Sequence, residues 1–284
     1  GRAWYVPVGH APRLDGETRQ VPLDIFRTTI GPLLGDPGIL KTVYGAKYDR
    51  HLLTGADIPF DGYEFDVQIA AFLLGDTSST LPTLVNERLS FEMVSPVSLT
   101  GTGRNAVPLS QIEPSRVAEY ACQYADYALR IRPSLEDLLK QRGQWELFAD
   151  MEMPLVAVLY RMEHLGIATD IAVLRELSGT MGAQVADFER EIYAQVGHEF
   201  NIGSPKQLSD ILFNELGLPK TRKTTQGYST DQRALESLRP VAPIIDLIFQ
   251  YREVAKLKST YADALPAVVE SDGRIHTDFQ QTVA

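Results

Sequence analysis

Arg252, Lys256, Ser259 and Thr260 recur at i, i+4 and i+7/i+8 through the stretch "YREVAKLKSTY", residues 251 to 261. On a helix this spacing puts all four on one face. Cations and hydroxyls together suit a run of phosphates, because Lys and Arg neutralise charge while Ser and Thr donate short hydrogen bonds. The opposite stripe, Ile244, Leu247, Ile248, Tyr251 and Val254/Ala255, is apolar and reads as the buried side. Pro243 and Pro266 bracket the segment. A helix of about 22 residues is roughly 33 Å long, close to the ~34 Å of one turn of B-DNA. The competing reading is an ordinary solvated face, with Arg252 and Lys256 paired to acids such as Glu253 or Asp263.

These cations sit in a chain of 284 residues with a formal net charge of -10. The acid is unevenly spread. Residues 1–150 hold 14 cations and 19 anions, 151–200 hold 3 and 8, and 201–284 hold 10 and 10. The last third is therefore neutral with local basic clusters, and a nucleic-acid surface needs only such a local patch. Other chemistries find little support. One cysteine, Cys122, excludes an internal disulfide and a thiolate zinc site and fits a reducing cytoplasm. The five histidines (His10, His51, His164, His198, His276) show no metal-ligand spacing, and there is no glycine-rich phosphate loop or nucleophile elbow. No apolar run approaches the ~20 residues of a membrane span.

The elements that must position these residues change character along the chain. Residues 1–143 read as α/β. "AWYVPVGH" and "ILKTVYG" are short apolar runs with strand character. Helices follow at "KYDRHLLTGA", at "FDVQIAAFLLG" with Asp66 as N-cap and Gly75 as the C-terminal stop, at "TLPTLVNERLS", and from Pro114 to Gly143 with a bend at Pro133. Residues 144–284 read as almost wholly helical. Ser204, Pro205 and Gln207 form a helix start with a capping box, and Ser229 with Gln232 repeats the device. Between them "LPKTRKTTQGY" is a basic loop.

"YREVAKLKSTYADALP" followed by "GRIHTDFQQTVA" resembles the thumb-to-palm junction of the bacterial DNA polymerase I family, the family A DNA polymerases. "EMPLVAVLYRMEHLGI" and "NIGSPKQLSDILFNELGLP" are similar to the same family in the same order. "AKYDRHLL" and "FDVQIAAFLL" resemble its proofreading 3′–5′ exonuclease domain. The resemblance implies a fold of an α/β, ribonuclease H-like exonuclease domain over 1–143, followed by a mainly α-helical thumb region and the start of the palm over 144–284. It implies that the chain is a piece of a longer cytoplasmic, monomeric enzyme. Its partners would be primer–template DNA and the remaining palm and fingers. No membrane is involved, and no cofactor lies in this chain, the Mg²⁺ ions belonging to the palm. It also implies DNA-backbone contacts at Asn201, Ser204, Arg252, Lys256, Ser259 and Thr260, a thumb tip at Lys220, Arg222, Lys223 and Thr224, and minor-groove contacts at Arg274 and Gln280.

The family's nuclease holds two metal ions in a cage of four carboxylates. The resemblance places the first two on a strand upstream of "AWYVPVGH". "GAKYD" keeps the acid at Asp49 but has Gly45 where the family usually has Asn. The last motif, Tyr-x-x-x-Asp, keeps Tyr120 and puts Tyr124 at the acidic position. Asp126 lies about 200° further around a helix, on the wrong side. The expectation is a proofreading fold without proofreading chemistry. A DEDD-type nuclease related to ribonuclease D and a stand-alone DNA-binding module are the alternatives. The missing carboxylates count against the first.

Overall fold

The computed structural model describes residues 2–11, 20–76, 80–225 and 227–283. The chain forms two compact units. Unit 1 comprises Gly1–Leu165 with Thr277–Ala284, and unit 2 comprises Gly166–His276.

Unit 1 opens with helices α1 (Leu23–Thr29) and α2 (Gly31–Gly35). A βαβ unit follows: β1 (Lys41–Val43), α3 (Ala46–Gly55) and β2 (Tyr63–Asp66). The two strands are parallel, with Val43 opposite Asp66. Helices α4 (Val67–Leu73), α5 (Leu81–Leu89), α6 (Pro96–Thr100), α7 (Pro114–Gln141) and α8 (Met153–Leu165) complete it. Local chemistry explains these boundaries. Gly45 precedes α3 at φ 88, a left-handed conformation open to glycine at little cost. The Asp66 carboxylate accepts from the Gln68 and Ile69 N–H groups and starts α4. Thr80 caps α5, and Ser90 ends it in left-handed geometry. The core gathers Phe65, Leu81, Leu84, Ile131, Leu135 and Phe148, all fully buried. The rings of Phe65 and Phe148 lie 4.9 Å apart.

Three expectations for unit 1 change. "AWYVPVGH" forms no strand. Pro7 has no N–H for a ladder, and its carbonyl takes one bond, from Val21 (2.8 Å). The strand beside β1 is instead Tyr63–Asp66, which takes Phe65 and Asp66 from the start of the segment read as helix. Helix α7 continues through Pro133 to Gln141. Residues 144–165, grouped with the thumb in the sequence reading, pack into unit 1 through Phe148, Met153 and Val156.

Unit 2 is a long helical hairpin with a small cap. It contains β3 (Ile167–Ala168), α9 (Ile171–Val196), α10 (Pro205–Asp210), β4 (Lys223–Thr224), β5 (Gly227–Tyr228), α11 (Gln232–Glu236), α12 (Ile244–Leu257) and β6 (Arg274–Ile275). β4 and β5 form an antiparallel hairpin, and β3 pairs antiparallel with β6. Asp170 caps α9, and Gly197, at φ 92, ends it. α12 packs along α9. The core of Ile192, Ile202, Leu208, Leu212, Leu235, Ile245 and Ile248 sits where both meet the cap. α12 does not run regularly to Pro266. At Lys258–Ala262 it widens into a π-helical turn, then gives a 3-10 turn at Leu265–Val268.

Candidate functional site

The phosphate-binding pattern falls on α12 and its π-helical turn, and the structure divides it. Lys256, Ser259 and Thr260 are exposed. Among the described residues no ion pair or side-chain hydrogen bond engages the Lys256 ammonium. The Ser259 hydroxyl donates to the Lys256 carbonyl at 3.3 Å. Arg252 is different. Its Nη1 donates to the Thr230 carbonyl at 2.6 Å, so it ties α12 to the segment after β5 instead of standing on the solvent face. Burial lowers its guanidinium pKa, opposed by the nearby Asp231 charge. Of the apolar stripe, Ile244 and Ile248 are buried and the rest half-buried, while Ile245 joins them.

The proposed ion-pair partner also differs. Asp263 engages Lys258 at 2.7 and 3.0 Å and accepts from the Ser178 hydroxyl at 2.6 Å. No sequence signal linked Ser178 to Asp263, 85 residues away.

Around α10, Ser204 caps as expected, accepting from the Gln207 N–H at 3.4 Å. Gln207 completes a variant of the capping box. Its Oε1 accepts from the Asn201 N–H at 2.7 Å, and the Asn201 carbonyl accepts from the Ser204 N–H at 3.0 Å. The loop is thus held on itself with the Asn201 side chain exposed. At α11 the predicted pair of Ser229 and Gln232 is replaced. Asp231 is the N-cap, accepting from Ala234 N–H at 2.8 Å, and the Ser229 hydroxyl orients its carboxylate at 2.5 Å. Carboxylate caps gain from the helix dipole, and Asp231 lies two residues nearer the helix than Ser229.

The basic loop carries Lys223 and Thr224 on β4, both exposed. Lys220 Nζ lies 5.2 Å from the centre of the Tyr228 ring. Arg222 is 3.7 Å from Asp231. An open groove of about 1150 Å³ is lined by Lys220, Arg222, Ser229, Arg233 and Ser237 among others. Arg274 is half-buried on β6, its Nη1 donating to the Gly166 carbonyl at 3.0 Å. Gln280 falls in unit 1, its side chain donating to Asp278.

The residues of unit 1 matched to a nuclease motif by resemblance, Gly45, Asp49, Tyr120 and Tyr124, are all half-buried, and the nearby Asp66 is enclosed. Asp66 is 2% exposed, and its two oxygens take four backbone N–H groups, from Gly45 (3.1 Å), Ala46 (2.6 Å), Gln68 (2.8 Å) and Ile69 (3.4 Å). Burial raises its pKa against those amides. Burial and then the charge of Asp66 push Asp49 up to about 7. Tyr124 stacks at a tilt 4.6 Å from Tyr120 and edge-on to Tyr44 at 6.3 Å. Burial raises its hydroxyl pKa further. Asp126 pairs with Arg130 at 2.7 Å. The donor set does not fit a two-metal cage. At these positions Asp49 is the single acid, Gly45 has no side chain, and the Tyr124 phenol stands where an acid is needed. Among the described residues no group of three or more His, Cys, Asp or Glu side chains is placed to hold a metal ion.

A second feature of unit 1 escaped sequence reading. Glu163, 5% exposed, accepts from Lys47 Nζ (2.5 Å), His51 Nε2 (2.6 Å) and the Phe279 N–H (2.6 Å). It joins α3, α8 and the segment after residue 276. A signal existed: Val156, Tyr160 and Glu163 follow helical spacing on the buried stripe of α8. An acid on such a stripe calls for a partner.

Comparison with known proteins adds the lineage. Residues 171–284 match the family model described as DNA polymerase family A. The chain is 36% identical over 98% of its length to DNA polymerase I of Chloroflexus aurantiacus, and 35% identical over its full length to that of Pseudomonas aeruginosa. It spans 30% and 32% of those relatives. Among solved structures it resembles the POL domain of Pol1 from M. smegmatis, in complex with DNA primer-template and dNTP. The TM-score is 0.74 and the identity 33%, covering 90% of this chain and 42% of that one. The chain is therefore a relative of bacterial DNA polymerase I.

Proposed function

We propose that this relative of bacterial DNA polymerase I is the portion of a DNA-directed DNA polymerase that grips primer–template duplex, and that unit 2 acts as its thumb. The carrying observation is the exposed, unpaired Lys256 beside the exposed hydroxyls of Ser259 and Thr260. They lie within the region that matches the family A model. Asn201 and Ser204 at the α10 start, Lys220, Arg222, Lys223 and Thr224 on the hairpin, and Arg274 on β6 extend the contact surface in this reading. Gln280 adds a minor-groove contact. Arg252 supports the surface by tethering α12 through Thr230. The whole polymerase extends a primer by attack of its 3′-hydroxyl on a nucleoside triphosphate. Two Mg²⁺ ions assist that step, and no residue of this chain is assigned to them.

Unit 1, in the same proposal, is an exonuclease-like domain without nuclease chemistry. Gly45, which offers no donor side chain, and the aromatic Tyr124 support this.

The test measures binding of a labelled primer–template duplex between about 50 and about 200 mM salt. Lys256→Ala should weaken binding about equally for any sequence and reduce the salt slope by roughly one unit, as each phosphate contact releases ~0.9 counterion. An unchanged slope returns this helix face to ordinary solvated surface. A labelled 3′ overhang incubated with Mg²⁺ or Mn²⁺ should stay intact. Shortening that vanishes in Asp49→Ala overturns the nuclease part.

A further inference from the structure

Three cations stand in "REVAKLK"; Arg252 is held by a backbone carbonyl, Lys256 is exposed, and Lys258 is held by a carboxylate. Lys258 does not project to solvent like Lys256. Its ammonium lies between both oxygens of Asp263, at 2.7 and 3.0 Å. The same carboxylate takes the Ser178 hydroxyl from α9 at 2.6 Å. The lysine stem runs close over Gly182, one turn further along α9, where an added Cβ would lie 3.3 Å from Lys258 Cε. A glycine inside a helix costs stability relative to alanine, and here it leaves space for that stem. Both members of the pair sit at the edges of the π-helical turn Lys258–Ala262, which the Asp263 N–H closes on the Lys258 carbonyl at 2.9 Å. Such turns are rare and lie disproportionately at functional sites. This one carries Ser259 and Thr260.

We propose that Lys258 is a positioning residue and not a phosphate ligand: with Asp263 and Ser178 it staples the π-helical turn to α9 and so sets Ser259 and Thr260 for the DNA backbone. The proposal rests on the duplex-gripping reading above. A phosphate would have to displace a carboxylate already held by two partners, and the freed Asp263 would repel it. A pair with 27% and 44% of its side chains exposed adds little to global stability, so its effect falls on the local turn.

The experiment measures duplex affinity and salt slope for the 284-residue chain and for Lys258→Met, Asp263→Asn, their double variant, Lys258→Arg and Ser178→Ala, with melting curves for each. Lys258→Met and Asp263→Asn should each weaken binding about tenfold with unchanged slope, and the double variant should be no worse than either, as expected of a coupled pair. Lys258→Arg should stay near the parent. Ser178→Ala should lose about threefold, and it decides the matter if Lys258→Met fails to fold. A slope reduced by about one unit in Lys258→Met makes Lys258 a phosphate ligand and overturns the proposal. So does unchanged affinity in these variants, or tighter binding by Asp263→Asn. Failure of the parent chain to bind duplex is a separate result, and it sinks the duplex-gripping reading itself.

Discussion

Asp66 in unit 1 and Lys256 in unit 2 both lie on or beside helices at positions that chemistry could use, and the molecule treats them oppositely. The Asp66 carboxylate is buried and saturated by four backbone amides. The Lys256 ammonium is exposed without a partner among the described residues. A charge whose hydrogen-bonding capacity is filled internally serves the fold, because removing it orphans buried donors. A charge left in water serves the fold little and stays available to a ligand. The same contrast runs inside the cation cluster: Lys256 is free, whereas Arg252 and Lys258 are tied inward.

Substitutions sharpen this comparison. The largest loss is expected at Glu163, which holds Lys47, His51 and the Phe279 N–H together. Glu163→Ala should destabilise unit 1 by about 3 kcal/mol, since it takes from Lys47 one of its two anions, Asp278 being the other, and leaves the Phe279 N–H and His51 without their acceptor. Thermal or urea unfolding measures it, and a change under about 1 kcal/mol makes the cluster a surface feature. Asp66→Ala comes next, at about 2 kcal/mol, through amides left unsatisfied. Duplex affinity should not follow it. A parallel loss of affinity breaks the assignment of binding to unit 2.

Asp49 gives a smaller, pH-dependent effect. Its folded pKa is raised, to about 7, above the ordinary carboxylate value of 3.8. The native state therefore binds more protons than the unfolded one between those values. Stability from this group is complete below about 4 and falls as pH rises to about 7. Asp49→Asn should leave the melting temperature unchanged near pH 4 and raise it near pH 8. A pH-independent difference between the two proteins contradicts the raised pKa. Lys256→Ala closes the series with no measurable change in melting temperature. A substantial drop would show that this cation serves the fold after all.

Much of the local structure was legible from residue types. Asp66 and Ser204 cap as read, because a short polar side chain before an apolar periodic run has few better uses. Gly75 at φ 95 and Gly197 at φ 92 mark helix ends because left-handed backbone favours glycine. Periodicity placed Ile244 and Ile248 inside and Lys256 outside. The nuclease-like positions were legible as departures in residue type, Gly45 and Tyr124. The errors arise where partners come from elsewhere in the chain or where two local readings compete. "AWYVPVGH" had strand composition, but a strand exists only through its ladder partners. The Ser229 cap lost to Asp231 because both fit the pattern and only the backbone path chose.

Sequence by itself determined the helical periods, the stops, the caps and the cluster of cations and hydroxyls near residue 256, since each follows from side-chain chemistry within a few residues. Only the tertiary structure decided which charge in that cluster stays free. Arg252 is claimed by a carbonyl 22 residues away, Lys258 belongs to a network reaching Ser178, and Asp66 is enclosed by amides from Gly45 and Ala46 across the parallel strands. Those partners come from distant parts of the chain, and a charge's role depends on whether burial leaves its bonds to water or supplies them from protein.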